Sequence, residues 1–152
     1  MNYQQQAIAG MNPVELIVAL YDGMVRFLHQ AIAATERRDT PQRRIAVGRV
    51  LDILMHLQSR LRMDVGGNSA RALSEFYASI FALCLEGSRL ESPARLQEAI
   101  RCVCDVRDAW RVAAHDPEVS RVLAADDGSG LLMMAAAHPP AAVEPEATRW
   151  TA

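Results

Sequence analysis

The side chains with most chemical promise in this 152-residue chain are its histidines, its three cysteines and its cations, all sixteen of which are arginine. His56 has the setting a phosphotransfer histidine needs. Helical spacing puts it opposite the apolar stripe of Val50, Leu54, Leu57 and Leu61, with Asp52 and Arg60 one turn away on the same outer face. A solvated histidine in an ordinary row of surface charges gives the same pattern, and no lysine is present to assist a phosphate. Cys102 and Cys104 lie ~200° apart on a helix, so they point to opposite sides and cannot share a metal there. They read as small buried hydrophobes. His29 has Ala33 where a second ligand at i+4 would sit, and no serine, histidine and acid form a nucleophilic set. Without lysine, Schiff-base and phosphate-loop chemistry are excluded. The expectation is a protein that is not an enzyme, with no metal and no cofactor.

The elements that would carry these residues are helices. The apolar fraction is 51% while only 5% of residues are aromatic, a balance that favours helical packing over sheet. One core is expected at this length. Asn12, Pro13 and Glu15 supply an N-cap, a first-turn proline and a capping-box acid, which starts a first helix at residue 13 and carries it to 36. Thr40 and Pro41 repeat the signal for a second, 41–64, with Gly66 and Gly67 as its stop. Leu73, Phe76, Tyr77, Ile80 and Cys84 mark a third, 69–88. Ser92 and Pro93 open a fourth, 93–114, with Leu96, Ile100, Val103 and Trp110 as its stripe. Short links make these an antiparallel four-helix bundle, an all-α fold. Residues 1–12 form an arm. Asp116 and Pro117 offer a start for one more short helix, 116–125, and the Gly- and Pro-punctuated stretch 126–152 reads as a mobile tail in which Leu131 to Ala137 has room for a turn of helix.

Charge and cysteine usage set the surroundings. A formal charge of −2 without a basic stripe argues against nucleic acid as partner. Three cysteines without framework spacing suit a reducing compartment. The polar start, Met1 to Gln6, lacks a secretory signal's pattern, and unbroken apolar runs such as Leu16 to Tyr21 are far below the ~20 residues a membrane span needs. A cytoplasmic protein without membrane insertion is the expectation.

Two helices carry more apolar surface than a bundle requires. On the first, Leu16, Leu20, Met24, Phe27 and Ala31 fall within one ~80° arc, the expected core stripe. Val14, Val18, Tyr21, Val25 and Ile32 fill an adjoining arc, so the apolar sector spans roughly 200° where ~100° suffices. The third helix is similarly broad, from Leu83 through Phe76 and Leu73 to Phe81 and Leu85. Each large apolar side chain left in water forgoes about 1.5 to 3 kcal/mol. The excess packs under the arm, under the tail, in a homodimer, or against a partner's segment. Gly23 and Gly48 sit inside helices, as expected where a neighbouring helix or bound segment comes close.

The order of motifs resembles a known family. The stretch from Tyr3 to Gly23, YQQQAIAGMNPVELIVALYDG, followed by Gly66 and Gly67, Leu73, Phe76 and Tyr77, and RDAW at Arg107 to Trp110, is similar to the FliS family of flagellar secretion chaperones over residues 3 to 112. The family usually has asparagine where Ala72 and Ser88 stand here, and often an aromatic at Ser79. The resemblance implies a four-helix bundle that binds the disordered C-terminal segment of flagellin in an apolar groove, holds it before export, and meets the flagellar export machinery. It also implies that the arm, with Tyr3 and Ile8, is a lid over that groove. The residues it puts forward for partner binding are Tyr3, Ile8, Leu20, Tyr21, Leu57, Leu61, Leu73, Tyr77 and Trp110.

Overall fold

The computed structural model describes residues 13–61 and 63–115, the side chains at 63–67 and 69 excepted. Within these residues the chain forms four helices, α1 (Pro13–Glu36), α2 (Thr40–Ser59), α3 (Met63–Arg89) and α4 (Pro93–Ala114). α1 packs against α2 and α4, and α3 packs against the same two, which places α1 and α3 on a diagonal. Links of a few residues force each helix antiparallel to the next. The arm, the short helix from 116 and the tail all fall outside the described residues.

Two of the links share one design. At the end of α1, Asp39 N–H donates to the Ala34 carbonyl at 2.8 Å and Arg38 N–H to the Thr35 carbonyl at 3.1 Å. At the end of α3, Ser92 N–H donates to the Gly87 carbonyl at 2.9 Å and Glu91 N–H to the Ser88 carbonyl at 3.2 Å. Each is a Schellman closure, with Arg38 (φ 58°) and Glu91 (φ 50°) in the left-handed position that glycine usually takes. The next residue in each case caps the following helix. Asp39 accepts from Gln42 N–H and Ser92 from Arg95 N–H, each with a proline just inside. The cap of α2 is therefore Asp39, one residue before the Thr40 that the sequence pattern favours.

The link between α2 and α3 departs from the sequence reading. α2 stops at Ser59 rather than 64, and α3 begins at Met63 rather than 69. Gly66 and Gly67, expected to end the second helix, lie inside the third. Gly87, near its end, is buried within it. A methyl group there would stand 2.9 Å from Leu96 Cδ2, so this glycine sets how closely α3 approaches α4.

The interior is built of Val14, Tyr21, Met24, Leu28 and Ala31 from α1 with the stripes of the other three helices. The core line of α1 thus runs between the two arcs seen in its sequence. Leu16, Leu20 and Phe27, assigned to the core stripe, are only half-buried, whereas Val14 and Tyr21 from the adjoining arc are fully buried. The cause is that α1 serves two neighbours. One flank meets α2, where Gly23 lies under Ile53, and the other meets α4. Its ~200° sector is shared between these two neighbours, with Ile17, Val18, Leu20, Val25, Phe27 and Ile32 half-buried along its edges. α1 also has the length and mean apolarity of a membrane span, but its apolar side is the centre of this core.

Candidate functional site

A buried polar cluster joins the diagonal pair. The Tyr21 hydroxyl donates to the Tyr77 hydroxyl at 2.8 Å, with the rings edge-on at 6.3 Å. Burial, reinforced by the neighbouring Tyr77, pushes the Tyr21 phenol well above its ordinary pKa, and burial pushes Tyr77 up to about 12. Both stay neutral at physiological pH and act as hydrogen-bonding core residues. Trp110 lies beside them, 7% exposed. Its indole Nε1 comes near enough to Tyr21 to oppose the phenol's shift slightly, yet finds no acceptor in hydrogen-bond geometry among the described residues.

Ionic contacts fasten the helices around this centre. Arg107 of α4 reaches Asp22 of α1 at 3.1 Å, and Arg111 reaches the same carboxylate at 3.3 Å. At the far end, Arg43 of α2 is buried to 6% exposure and donates to Glu91 at 2.9 Å and to Ser88 Oγ at 3.3 Å. Its guanidinium lies against the C-terminal end of α3, where the helix dipole favours a cation. Sequence reasoning missed both contacts. The signal for Arg43 is its position one turn before Val47, on the same stripe as Val50, Leu54 and Leu57.

The residues put forward for partner binding separate into three groups. Tyr21, Leu57, Leu73, Tyr77 and Trp110 are buried and hold the helices in register. Leu20 and Leu61 are half-buried at the core's edge. Tyr3 and Ile8 lie outside the described residues. His56 is exposed beside the exposed Asp52 and Arg60. Cys84 is buried, and burial lifts its thiol to about 12. Cys102 and Cys104 flank the α4 stripe on opposite sides and are half-buried, since each packs over a seam with a neighbouring helix rather than over the centre.

Apolar surface left open lies elsewhere than on α1. Among the described residues the exposed large hydrophobics are Ile45 (50%) and Met55 (55%) on α2, Leu85 (48%) on α3, Leu90 just past its end, and Val112 on α4. Contacts from Gln58 to Ser74 and from Arg43 to Ser88 fix the register of α2 against α3. In that register Met55 and the half-buried Leu51 face the same outer seam as the half-buried Phe81 and Leu85. Gly48 lies on the same outer side of α2 as Met55, and a methyl group there would meet nothing within 4 Å. The arrangement is a strip of apolar surface on the outside of the bundle, suited to holding a chain.

Comparison with known proteins sets this geometry in a family. The model for "Flagellar protein FliS" matches residues 1–117. The chain belongs to the FliS family. A flagellar secretion chaperone FliSB of Pseudomonas aeruginosa is 29% identical over 117 residues, covering 74% of this chain and 93% of the relative. Flagellar secretion chaperones FliS of Campylobacter jejuni and Vibrio cholerae are 29% and 26% identical, covering 78% and 80% of this chain and 93% and 88% of theirs. Membership makes this bundle one of the flagellar export chaperones. Two FliS-like motifs meet in space, since Asp22 of LYDG pairs with Arg107 of RDAW.

Proposed function

We infer that this protein is a cytoplasmic, non-enzymatic export chaperone whose client is the C-terminal segment of flagellin, held along the outer seam of α2 and α3 until secretion. The observation that carries the reading is the exposed apolar set of Met55 and Leu85 beside half-buried Leu51 and Phe81. A client that folds on binding must offset about 1 to 2 kcal/mol per residue in lost backbone entropy. Apolar side chains worth about 1.5 to 3 kcal/mol each on burial are what can offset it. Leu20 and Leu61 extend the same role to the rim of the core. The buried Tyr21, Leu57, Leu73, Tyr77 and Trp110 support the seam, and direct contact between them and the client requires the bundle to open.

Light scattering of flagellin tests it. The extent of polymerisation is expected to fall in proportion to added protein and to be suppressed at one equivalent, while a soluble one-to-one complex forms on a sizing column. Flagellin lacking its C-terminal segment must fail to form that complex. A complex that forms equally well without the segment refutes the reading.

A further inference from the structure

We propose that the chain's own C-terminal extension folds back over the α2–α3 seam and competes there with the client; the competition, though not the fold-back, rests on the function proposed above. The family match ends at residue 117, and 35 residues follow it. This extension carries one strongly apolar run, Leu131, Leu132, Met133 and Met134, and five acids against two arginines. The seam has the complementary composition. At one end of its apolar strip stand Arg44 of α2 and Arg89 of α3, each one residue on from the Arg43–Ser88 contact. Both are exposed, and neither has an ionic partner among the described residues.

The order of features matches as well as their type. The antiparallel bundle puts the end of α4 at the same end as Ser59, close to Met55. From Ala114 to Leu131 the chain can span up to about 55 Å, ample to cross a bundle whose helix axes are about 10 Å apart. The apolar run then arrives over Met55, Leu51, Phe81 and Leu85. Glu144 and Glu146 follow about ten residues later. Arg44 is eleven residues, about 16 Å, along α2 from Met55, within reach of that stretch. Gly48 leaves space for the incoming side chains in between. A fold-back of this kind needs no partner at any concentration, because the tether alone supplies an effective concentration in the millimolar range.

The test places a benzophenone amino acid at Met55 in the full-length chain, with the exposed Arg101 of α4 as control position. Irradiation is expected to give a link within one chain from 55 to residues 131–137, with a yield independent of protein concentration, and none from 101. Reversing the acids, Glu144→Arg with Glu146→Arg, should lower the yield several-fold, and adding Arg44→Glu with Arg89→Glu should restore it. A link between two chains that rises with concentration, a link to residues 1–12, or no link overturns the fold-back. Added flagellin C-terminal peptide separates the two proposals. If the peptide links at 55 and no tail link ever forms, the fold-back fails and the client site stands. If the tail links and excess peptide neither links nor lowers the yield, the fold-back stands and the seam is not the client site.

Discussion

Three buried side chains, Tyr21, Tyr77 and Arg43, show how polar groups are accommodated in this core. Tyr21→Phe or Tyr77→Phe alone leaves the remaining hydroxyl buried without its partner, at a cost of about 1 to 3 kcal/mol. Replacing both removes the orphan as well, so the double variant should lose clearly less than the two single losses added together, as chemical denaturation would show. Losses that simply add would mean the hydroxyls are not coupled. The same burial makes stability pH-dependent at the alkaline side. Tyr77 is neutral when folded up to about pH 12 against an ordinary value of 10.0. Its contribution is therefore complete below pH 10 and is lost as pH rises through 12, a fall of about 3 kcal/mol. Cys84, lifted from 9.0 to about 12, acts in the same direction, with its loss beginning as pH rises past 9. Denaturation midpoints measured from pH 8 to 12 should fall in the wild type and fall less in Tyr77→Phe; parallel curves would contradict the assignment.

At the level of the helices, the matched closures after α1 and α3 give opposite expectations for one substitution. Arg38→Gly relieves a left-handed residue and should stabilise by about 0.5 to 1 kcal/mol. Glu91→Gly relieves the same strain but removes the carboxylate that Arg43 pairs with at 2.9 Å. A buried cation left with Ser88 alone should make that change destabilising on balance, by about 1 kcal/mol, because Glu91 itself is mostly exposed. Thermal melts of the two variants should move in opposite directions. Gly48→Ala, with open space above it, should stabilise α2 by up to about 1 kcal/mol while weakening flagellin binding, a pairing that calorimetry on one sample set would detect. Unaltered affinity would place the client away from Gly48. Helix starts were legible in the sequence because proline and capping residues act locally, as at Pro13, Pro41 and Pro93. The α2–α3 link was not, since Gly66 and Gly67 are tolerated within α3 and the break falls just after Ser59, where no glycine or proline marks it.

For the whole molecule, the all-α bundle and its family were legible because ordered motifs and 3.6-residue spacing survive in one sequence. The open surface was misplaced for a physical reason. A helical wheel measures how much apolar surface a helix has and says nothing of how many neighbours share it. α1 occupies its broad sector with α2 and α4, whereas α2, with a weaker pattern, leaves Ile45 and Met55 in water. Tyr21, Tyr77 and Trp110 drew attention as aromatic candidates for a partner, and the same size and apolarity put them in the interior. The resulting picture is an ion-pinned bundle with a strip of apolar surface along its α2–α3 side.

Calorimetric titration of a flagellin C-terminal segment into the full-length protein and into Met55→Glu with Leu85→Glu tests that picture most directly, with circular dichroism to confirm that the helices persist. The account predicts an intact bundle whose affinity falls about 100-fold or more, as expected from two apolar contacts of about 1.5 kcal/mol or greater. An intact bundle that binds the segment with undiminished affinity would contradict it.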